Sequence, residues 1–573
     1  MKKLHSLLLI ILLFMLSSCA EDFIKEEDKD KPITSNDVVL SDIFHDSAKV
    51  GNVTFKVSEN VISSSFLWTI TPMKSNAKPV EIPVNNQREI TAKFPSAGEY
   101  KVTLKVDKNE VTGKIVIPET QSYEIDLGNT HTIISDGSKS SLYVYGLNDK
   151  GQLCIYDNKT TSLELPALIR GYNNVTSVAA GTSHTLFANG EYVYGCGDNT
   201  KGQLGIGSSD KVDAVTLVKT IPDDKKYERV FVSAGGDMSV TGTEFLDGKS
   251  PKINVYTYGY DETMQNKANL FAKLVTPSTA PGSRDFPILA TGVNFTILRA
   301  TSCYNVFSLG INDKWQLGRI EGAGTSYGAA EKTDPDKHTD KNKTDMASSY
   351  VFTPYGEEKL IGESSDRNYY QNNYFAQIAA GDDFVISIKR ELTSDSEWTK
   401  QDKYAVYVWG NNDKGQLGFK NNNNLTVVRR PTPLFNAVEK TPVLTDPNKV
   451  TPINKEMVEV AAGRATGFAI SKDDGILYGW GAMDKGQLTN NKKQNTVNNN
   501  VYEIEKPQGV TKGYKKVWAG GDRVIALAGD DNLYTWGDNT QGILGISSQK
   551  AVVDTPEKLF FPIRPIKLSL IHI

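Results

Sequence analysis

From residue 123 onward the apolar positions come in short runs, each closed by a glycine and followed at once by a fully polar stretch. "YAVYVWG", Tyr404 to Gly410, gives way to "NNDKGQ", and the same change recurs along the chain. Aligned on the closing glycine, the copies fall at Gly146, Gly197, Gly259, Gly310, Gly410, Gly481 and Gly537, with intervals of 51, 62, 51, 100, 71 and 56 residues. A second phrase precedes each of them, in forms such as "SVAAGTSHTLF", "QIAAGDDFVISI" and "KVWAGGDRVIAL". Alternating β-branched and aromatic positions predict strands, and the Gly, Asn and Asp clusters between them predict turns. Each unit therefore reads as an antiparallel meander of three or four strands. One meander cannot cover both of its faces, so copies must pack on one another. Arranged radially, seven of them close a ring and leave no long free edge. The predicted fold class is all-β, with a seven-bladed β-propeller over 123–573.

The polar loop needs its own explanation, because repetition suits either a ligand loop or a piece of architecture. In "GNNDKGQLG" the chain leaves a strand, reverses, and returns a large apolar side chain to the core. Asn and Asp start such turns through their own backbone, and Gly415 supplies a positive φ. Gln416 is placed to satisfy backbone groups at the sheet edge. Leu153, Leu204, Leu317, Leu417, Leu488 and Leu544 are expected to fill the space between sheets. A repeated phosphate cradle is the functional rival, but these glycines lack the strand–loop–helix setting that such a site requires. The loop reads as architecture.

The first 119 residues follow a different pattern. Lys2 and Lys3 precede an apolar run, Leu7 to Leu16, too short to span a bilayer but suited to a secretory signal. "LSSC", ending at Cys19, resembles the cleavage box of bacterial lipoproteins, which implies a signal peptide over 1–18 and lipidation of Cys19. An ordinary signal peptide with an incidental cysteine is the alternative. Residues 19–35 are acidic and apolar-poor, a flexible tether, and the acidic stretch resembles the tag of outer-membrane lipoproteins that face the cell exterior in gram-negative bacteria. Residues 36–119 hold short alternating strands at the density of a small immunoglobulin-like β-sandwich. Phe94, Gly98, Tyr100, Val102 and Leu104, with Trp68 in the core, resemble PKD and related immunoglobulin-like modules of surface proteins. The task expected of this module is spacing, lifting the propeller off the membrane.

Composition narrows the function classes. Across 573 residues the net charge is −4 and charged residues make up 23%, so no basic field invites nucleic acid. Six histidines are too few for a large imidazole-based site. With Cys19 assigned to lipid, Cys154, Cys196 and Cys303 remain. Cys196 stands where other repeats carry Tyr or Trp, and reads most simply as a buried small apolar residue. A disulfide between two of the three is open, because spacing does not argue for it. No metal site and no cofactor are expected.

Gly-x-Asn-x-x-Gly-Gln-Leu-Gly, preceded by Val-x-Ala-Gly-x-x-His-Thr, resembles the repeat of the regulator-of-chromosome-condensation family of seven-bladed propellers. The resemblance runs from about Tyr123 to the C-terminus. There are departures: the third copy, "YGYDETMQN", has lost the corner, and the fourth carries Trp315 where glycine belongs. The phrase histidine survives as His131 and His184, which read as packed structural residues rather than metal ligands. The family's eukaryotic founder exchanges guanine nucleotide on a small GTPase through a wedge. No segment here matches that wedge, and the activity is the least favoured reading.

Function is then expected on loops longer than folding requires. The largest lies between Arg319 and Tyr374, where Tyr327, Tyr350, Tyr355, Tyr369, Tyr370 and Tyr374 stand among small polar residues. Tyrosine in that company makes a good recognition surface; aromatics that merely pack on the sheet side are the alternative. Asn421 to about Lys455 and the stretch from Asn490 are further excesses, expected on the same rim. No catalytic constellation is evident. The expectation is a monomeric, non-catalytic binding protein on the cell surface, held to the membrane by lipid, for an extracellular protein or polysaccharide. An enzyme acting on extracellular polysaccharide is the rival.

Overall fold

The computed structural model describes residues 38–74, 79–119, 122–136, 141–156, 159–172, 174–218, 227–247, 250–260, 268–274, 288–299, 306–318, 375–391, 403–419, 426–436, 453–490, 492–495 and 500–565. Strands dominate, and nearly every pairing is antiparallel. Among the described residues the repeats build seven sheets, within 123–169, 175–217, 227–274, 288–310, 375–454, 457–504 and 516–558. The first is typical: Tyr123–Leu127, His131–Asp136, Leu142–Leu147 and Ser162–Ile169 pair in chain order. The fourth sheet has three described strands, and the fifth and sixth have five.

The first strand of each sheet packs against the first strand of the next, and the seventh sheet returns to the first. Inner edges arranged this way carry unpaired backbone groups. Side chains of the preceding sheet take some of them up. The Ala180 N–H donates to Asp126 Oδ2 at 2.8 Å, the Val232 N–H to Ser177 Oγ at 3.1 Å, and the Val460 N–H to Gln377 Oε1 at 3.1 Å.

Two further four-stranded sheets enclose a separate core at the N-terminal end, with Phe55, Trp68, Phe94 and Tyr100 buried in it. Tyr100 donates from its hydroxyl to the Ser96 carbonyl at 2.9 Å. Each sheet ends on a strand borrowed from the far end of the chain. Phe561–Pro562 pairs with Ile43–His45, and Arg564–Pro565 pairs with Asn109–Ile117. This module is also bonded to the ring. Lys49 Nζ donates to Asn532 Oδ1 at 3.0 Å, the Leu533 N–H to Ser47 Oγ at 3.2 Å, and Arg564 Nη2 pairs with Asp136 Oδ2 at 2.6 Å.

Cys196 is buried, as its position suggested, and the disulfide that spacing left open is formed between it and Cys154, with the Cα atoms 5.3 Å apart across neighbouring sheets. Cys303 and Cys19 lie outside the described residues. The excess between residues 421 and 455 is divided by the strand Val427–Asn436, so its two parts leave from opposite ends of the fifth sheet.

Candidate functional site

The seven aligned glycines share one geometry. Their φ angles lie between 98° and 113°, which L side chains rarely adopt. A Cβ on any of them would also strike a loop carbonyl of the same sheet, from 2.1 Å at Gly259 to 2.6 Å at Gly410. That carbonyl belongs to the turn between the sheet's first and second strands, and the residue after the glycine usually donates to it, as Leu147 N does to Thr130 O at 2.9 Å. The glycine thus lets the third strand pass close under the loop.

The polar corner that follows is a closed hydrogen-bond unit. In the fifth copy the amides of Asp413, Lys414, Gly415, Leu417 and Gly418 donate to Asn411 Oδ1, Gln416 Oε1, Asn412 O, Asn412 Oδ1 and Gly415 O, at 2.8 to 3.2 Å. The glutamine bond recurs at Gln152, Gln203, Gln316 and Gln487, and the asparagine bond at Asn148, Asn199, Asn312 and Asn539. Gly415 takes φ 76°, and Trp315, where glycine belongs, takes φ 61° with Arg429 4.7 Å over its ring. Leu153, Leu204, Leu317, Leu417, Leu488 and Leu544 are buried. With its amides turned inward, the corner has no row of free N–H groups for an anion.

The carbonyl of the glutamine leaves the corner, and the next sheet claims it. Trp409 Nε1 donates to Gln316 O at 3.0 Å, Trp480 to Gln416 O at 2.8 Å, and Trp536 to Gln487 O at 2.8 Å. At two earlier seams a hydroxyl does the same: Thr185 to Gln152 O at 2.6 Å and Ser239 to Gln203 O at 2.7 Å. The two chemistries exclude each other along the chain. Sheets one to four carry Thr132, Thr185, Ser239 and Thr296 after the phrase position and no Trp before the aligned glycine; sheets five to seven carry Trp409, Trp480 and Trp536, with Val385, Gly467 and Val524 in the hydroxyl position.

His131 and His184 belong to this latch. His131 Nε2 lies 2.8 Å from Thr185 Oγ1, and His184 Nε2 lies 2.8 Å from Ser239 Oγ, each across a seam. Burial drives both imidazoles toward the neutral form, lowering His131 to about 3 and His184 to about 4. At the last seam the phrase residue is Arg523, fully enclosed. It donates to the carbonyls of Gly128, His131 and Ile543 at 2.6 to 2.8 Å. Burial lowers its pKa to about 10, which leaves it a cation at neutral pH. Nothing in the repeat pattern singled Arg523 out; a charged residue where the phrase carries histidine was the available signal.

With the repeat residues committed to folding, the candidate site is the end of the ring where these loops gather. Around the axis, successive loops are joined by backbone bonds: Thr182 N to Gly236 O, Val293 N to Asp382 O, Asp382 N to Arg464 O and Arg464 N to Gly521 O, at 2.7 to 3.2 Å. Asp382, Asp383, Arg464 and Asp522 crowd one side of this mouth. Arg464 Nε stands 3.5 Å from Asp522 Oδ2, and burial, opposed by Arg464, raises Asp382 to about 6. Farther out, exposed pairs such as Asp149–Lys150, Asp413–Lys414 and the Asp484 tip project from the corners, and Lys314 reaches Asp413 of the next corner at 3.6 Å. The six candidate tyrosines, Tyr327, Tyr350, Tyr355, Tyr369, Tyr370 and Tyr374, lie outside the described residues, between the fourth corner and the fifth sheet. Among the described residues no three His, Cys, Asp or Glu side chains are grouped to hold a metal ion.

The profile described as "Regulator of chromosome condensation (RCC1) repeat" matches residues 139–188 and 405–470. These two stretches match the RCC1 repeat. Mouse E3 ubiquitin-protein ligase HERC2 is 24% identical over 454 residues, 77% of this chain but 7% of that protein. The zebrafish protein RCC2 homolog is 36% identical over 141 residues, 24% of this chain and 26% of that protein. The chain thus spans a small part of the curated relatives it matches. Human WBSCR16 is similar in fold, with a TM-score of 0.50 at 19% identity over 74% of this chain and 96% of that one. The ring is accordingly an RCC1-like β-propeller in fold, and the repeat profile falls on parts of its first, second, fifth and sixth sheets.

Proposed function

We propose that this chain is an exported, lipid-anchored binding protein, a seven-bladed RCC1-type propeller fused to an immunoglobulin-like module, that engages a protein partner through the loop-bearing end of its ring without catalysis. The observation that carries the reading is the division of labour in the corner. Its amides, its glutamine carbonyl and its leucine are used inside the fold, while its Asp–Lys tip is left in solvent, farther out than Arg464 and Asp382. A rigid rim of mixed charge suits a protein surface, where complementary charge sets partner choice and association rate. The Cys154–Cys196 disulfide favours an oxidising compartment, in keeping with Cys19 as a lipidated residue of an outer-membrane lipoprotein facing outward.

The test uses the lipid-free chain with a photocrosslinker at Lys414, on the loop-bearing end, or at Glu191, in the turn at the other end. The reading expects a saturable protein adduct from Lys414 and none from Glu191, weakened when 327–374 is deleted. New reducing ends after incubation with extracellular polysaccharides would instead establish the enzyme alternative.

A further inference from the structure

At three seams the residue that closes the corner touches the aromatic residue just before the aligned glycine of the next sheet. A Cβ on Gly318 would sit 2.7 Å from Trp409 Nε1, on Gly418 3.2 Å from Trp480 Cδ1, and on Gly545 2.8 Å from Tyr145. Between the first and second sheets both positions are cysteine. Cys154 closes the first corner, at φ 58°, and Cys196 stands just before Gly197. The pair that at those three seams meets as glycine against an aromatic ring meets here as a disulfide.

We propose that the Cys154–Cys196 bond is a covalent substitute for the aromatic latch, which makes this seam of the ring redox-dependent. The inner part of the seam has its own bonds, from His131 to Thr185 and from Thr185 to Gln152 O, and stays closed without the disulfide. The outer part, where Leu153, Cys154 and Ile155 pack with Phe187, depends on the disulfide. A dithiol cleaves it with two electrons and two protons: the S–S bond breaks, both sulfurs become thiols, and the dithiol closes to a cyclic disulfide. The inference stands apart from the binding reading and uses a different measurement.

Hydrogen exchange read by mass spectrometry tests it, in a chain with Cys19 and Cys303 changed to Ser. Cys154→Gly/Cys196→Ala has no latch, and Cys154→Gly/Cys196→Trp restores the glycine–tryptophan form, glycine being at ease at the positive φ of this position. Amides of 153–156 and 192–197 are expected to lose about tenfold or more in protection in the Ala variant and to keep it in the Trp variant, while 477–481 stays unchanged in both. Unchanged protection in the Ala variant, or equal loss in both, overturns the proposal. The cysteine-bearing chain with and without dithiothreitol, its reduction confirmed by alkylation, decides the matter without those variants: a local loss confined to this seam supports the latch, and no loss overturns it.

Discussion

Arg523 Nη1 lies 2.8 Å from Thr132 Oγ1, a hydrogen bond between residues 391 positions apart that joins the last sheet of the ring to the first. The same guanidinium holds three carbonyls, so one side chain does at this seam what histidine, hydroxyl and glutamine share elsewhere. Arg523→Ala strands those acceptors in the interior, and a loss on the order of 3 kcal/mol or more is expected in urea unfolding. Arg523→His is expected to lose distinctly less, because His131 meets Thr185 in this way at the first seam. Equal losses in both variants would mean that the hydrogen bonds to Thr132 and the carbonyls add nothing beyond bulk.

Trp536 and Val524 occupy the two alternative donor positions for one acceptor, Gln487 O, and only the tryptophan can donate. Trp536→Phe removes the donor and keeps most of the ring, for an expected loss of about 1–3 kcal/mol with the buried carbonyl left unpaired. Val524→Thr places a hydroxyl where Thr185 serves Gln152 O. Combined with Trp536→Phe it should recover part of the loss, while alone it should stabilise little. A double-mutant cycle by chemical denaturation reads this coupling directly.

Much of this organisation is local and was therefore legible in the residues. Gly415, Gln416 and Leu417 each carry a turn, backbone or packing requirement that holds within a few residues, so the corner and its repetition were readable. The alternation of Thr185 with Trp409 was written in the sequence as well, but it takes meaning only once Gln152 O and Gln316 O are seen between two sheets. Cys154 and Cys196 illustrate the same limit: their separation of 42 residues says nothing, because what joins them is a seam. The strands Phe561–Pro562 and Arg564–Pro565 were hidden for another reason. Two residues each, with a proline in both, they carry no alternation and read as a non-strand tail.

Buried ionisable groups set how stability follows pH. Burial lowers His45 to about 4, as it lowers His131 and His184, from an ordinary 6.5. Between pH 6.5 and 4 the unfolded chain takes up protons that the folded chain refuses, so these groups make stability fall as pH falls. Asp126 and Asp382, raised to about 6 from 3.8 mainly by burial, act in the opposite sense between pH 4 and 6. Burial also raises Asp42, Asp46, Asp237, Asp383 and Glu459, which act in the same sense as these two, so the histidine contribution is read by difference: His184→Gln should flatten whatever fall in melting temperature accompanies a change from pH 7 to pH 4. Asp382→Asn, which removes an ionised group the fold disfavours, should stabilise at pH 7, with a gain that fades as pH falls from 6 to 4. A gain independent of pH would refute this role for the Asp382 carboxyl.

The shared strands make the N-terminal module depend on the end of the chain. Ile43–His45 and Asn109–Ile117 each lose a partner if the chain stops at Phe560, and Ile563 leaves the module's core. The cut also removes Phe561, whose ring lies 4.8 Å from Tyr143 and 6.2 Å from His45, and Arg564, which holds Asp136. Buried apolar groups of that size contribute about 1.5–3 kcal/mol each. Termination after Phe560 should therefore melt the module ahead of the ring, with early loss of the near-ultraviolet signal of Trp68. Residues 38–119 expressed alone should stay unfolded, and adding a peptide of residues 559–566 in trans should restore structure in a concentration-dependent way. A module that folds alone with full cooperativity would show instead that the C-terminal strands only dock on a finished domain, and would return it to the role of an independent spacer.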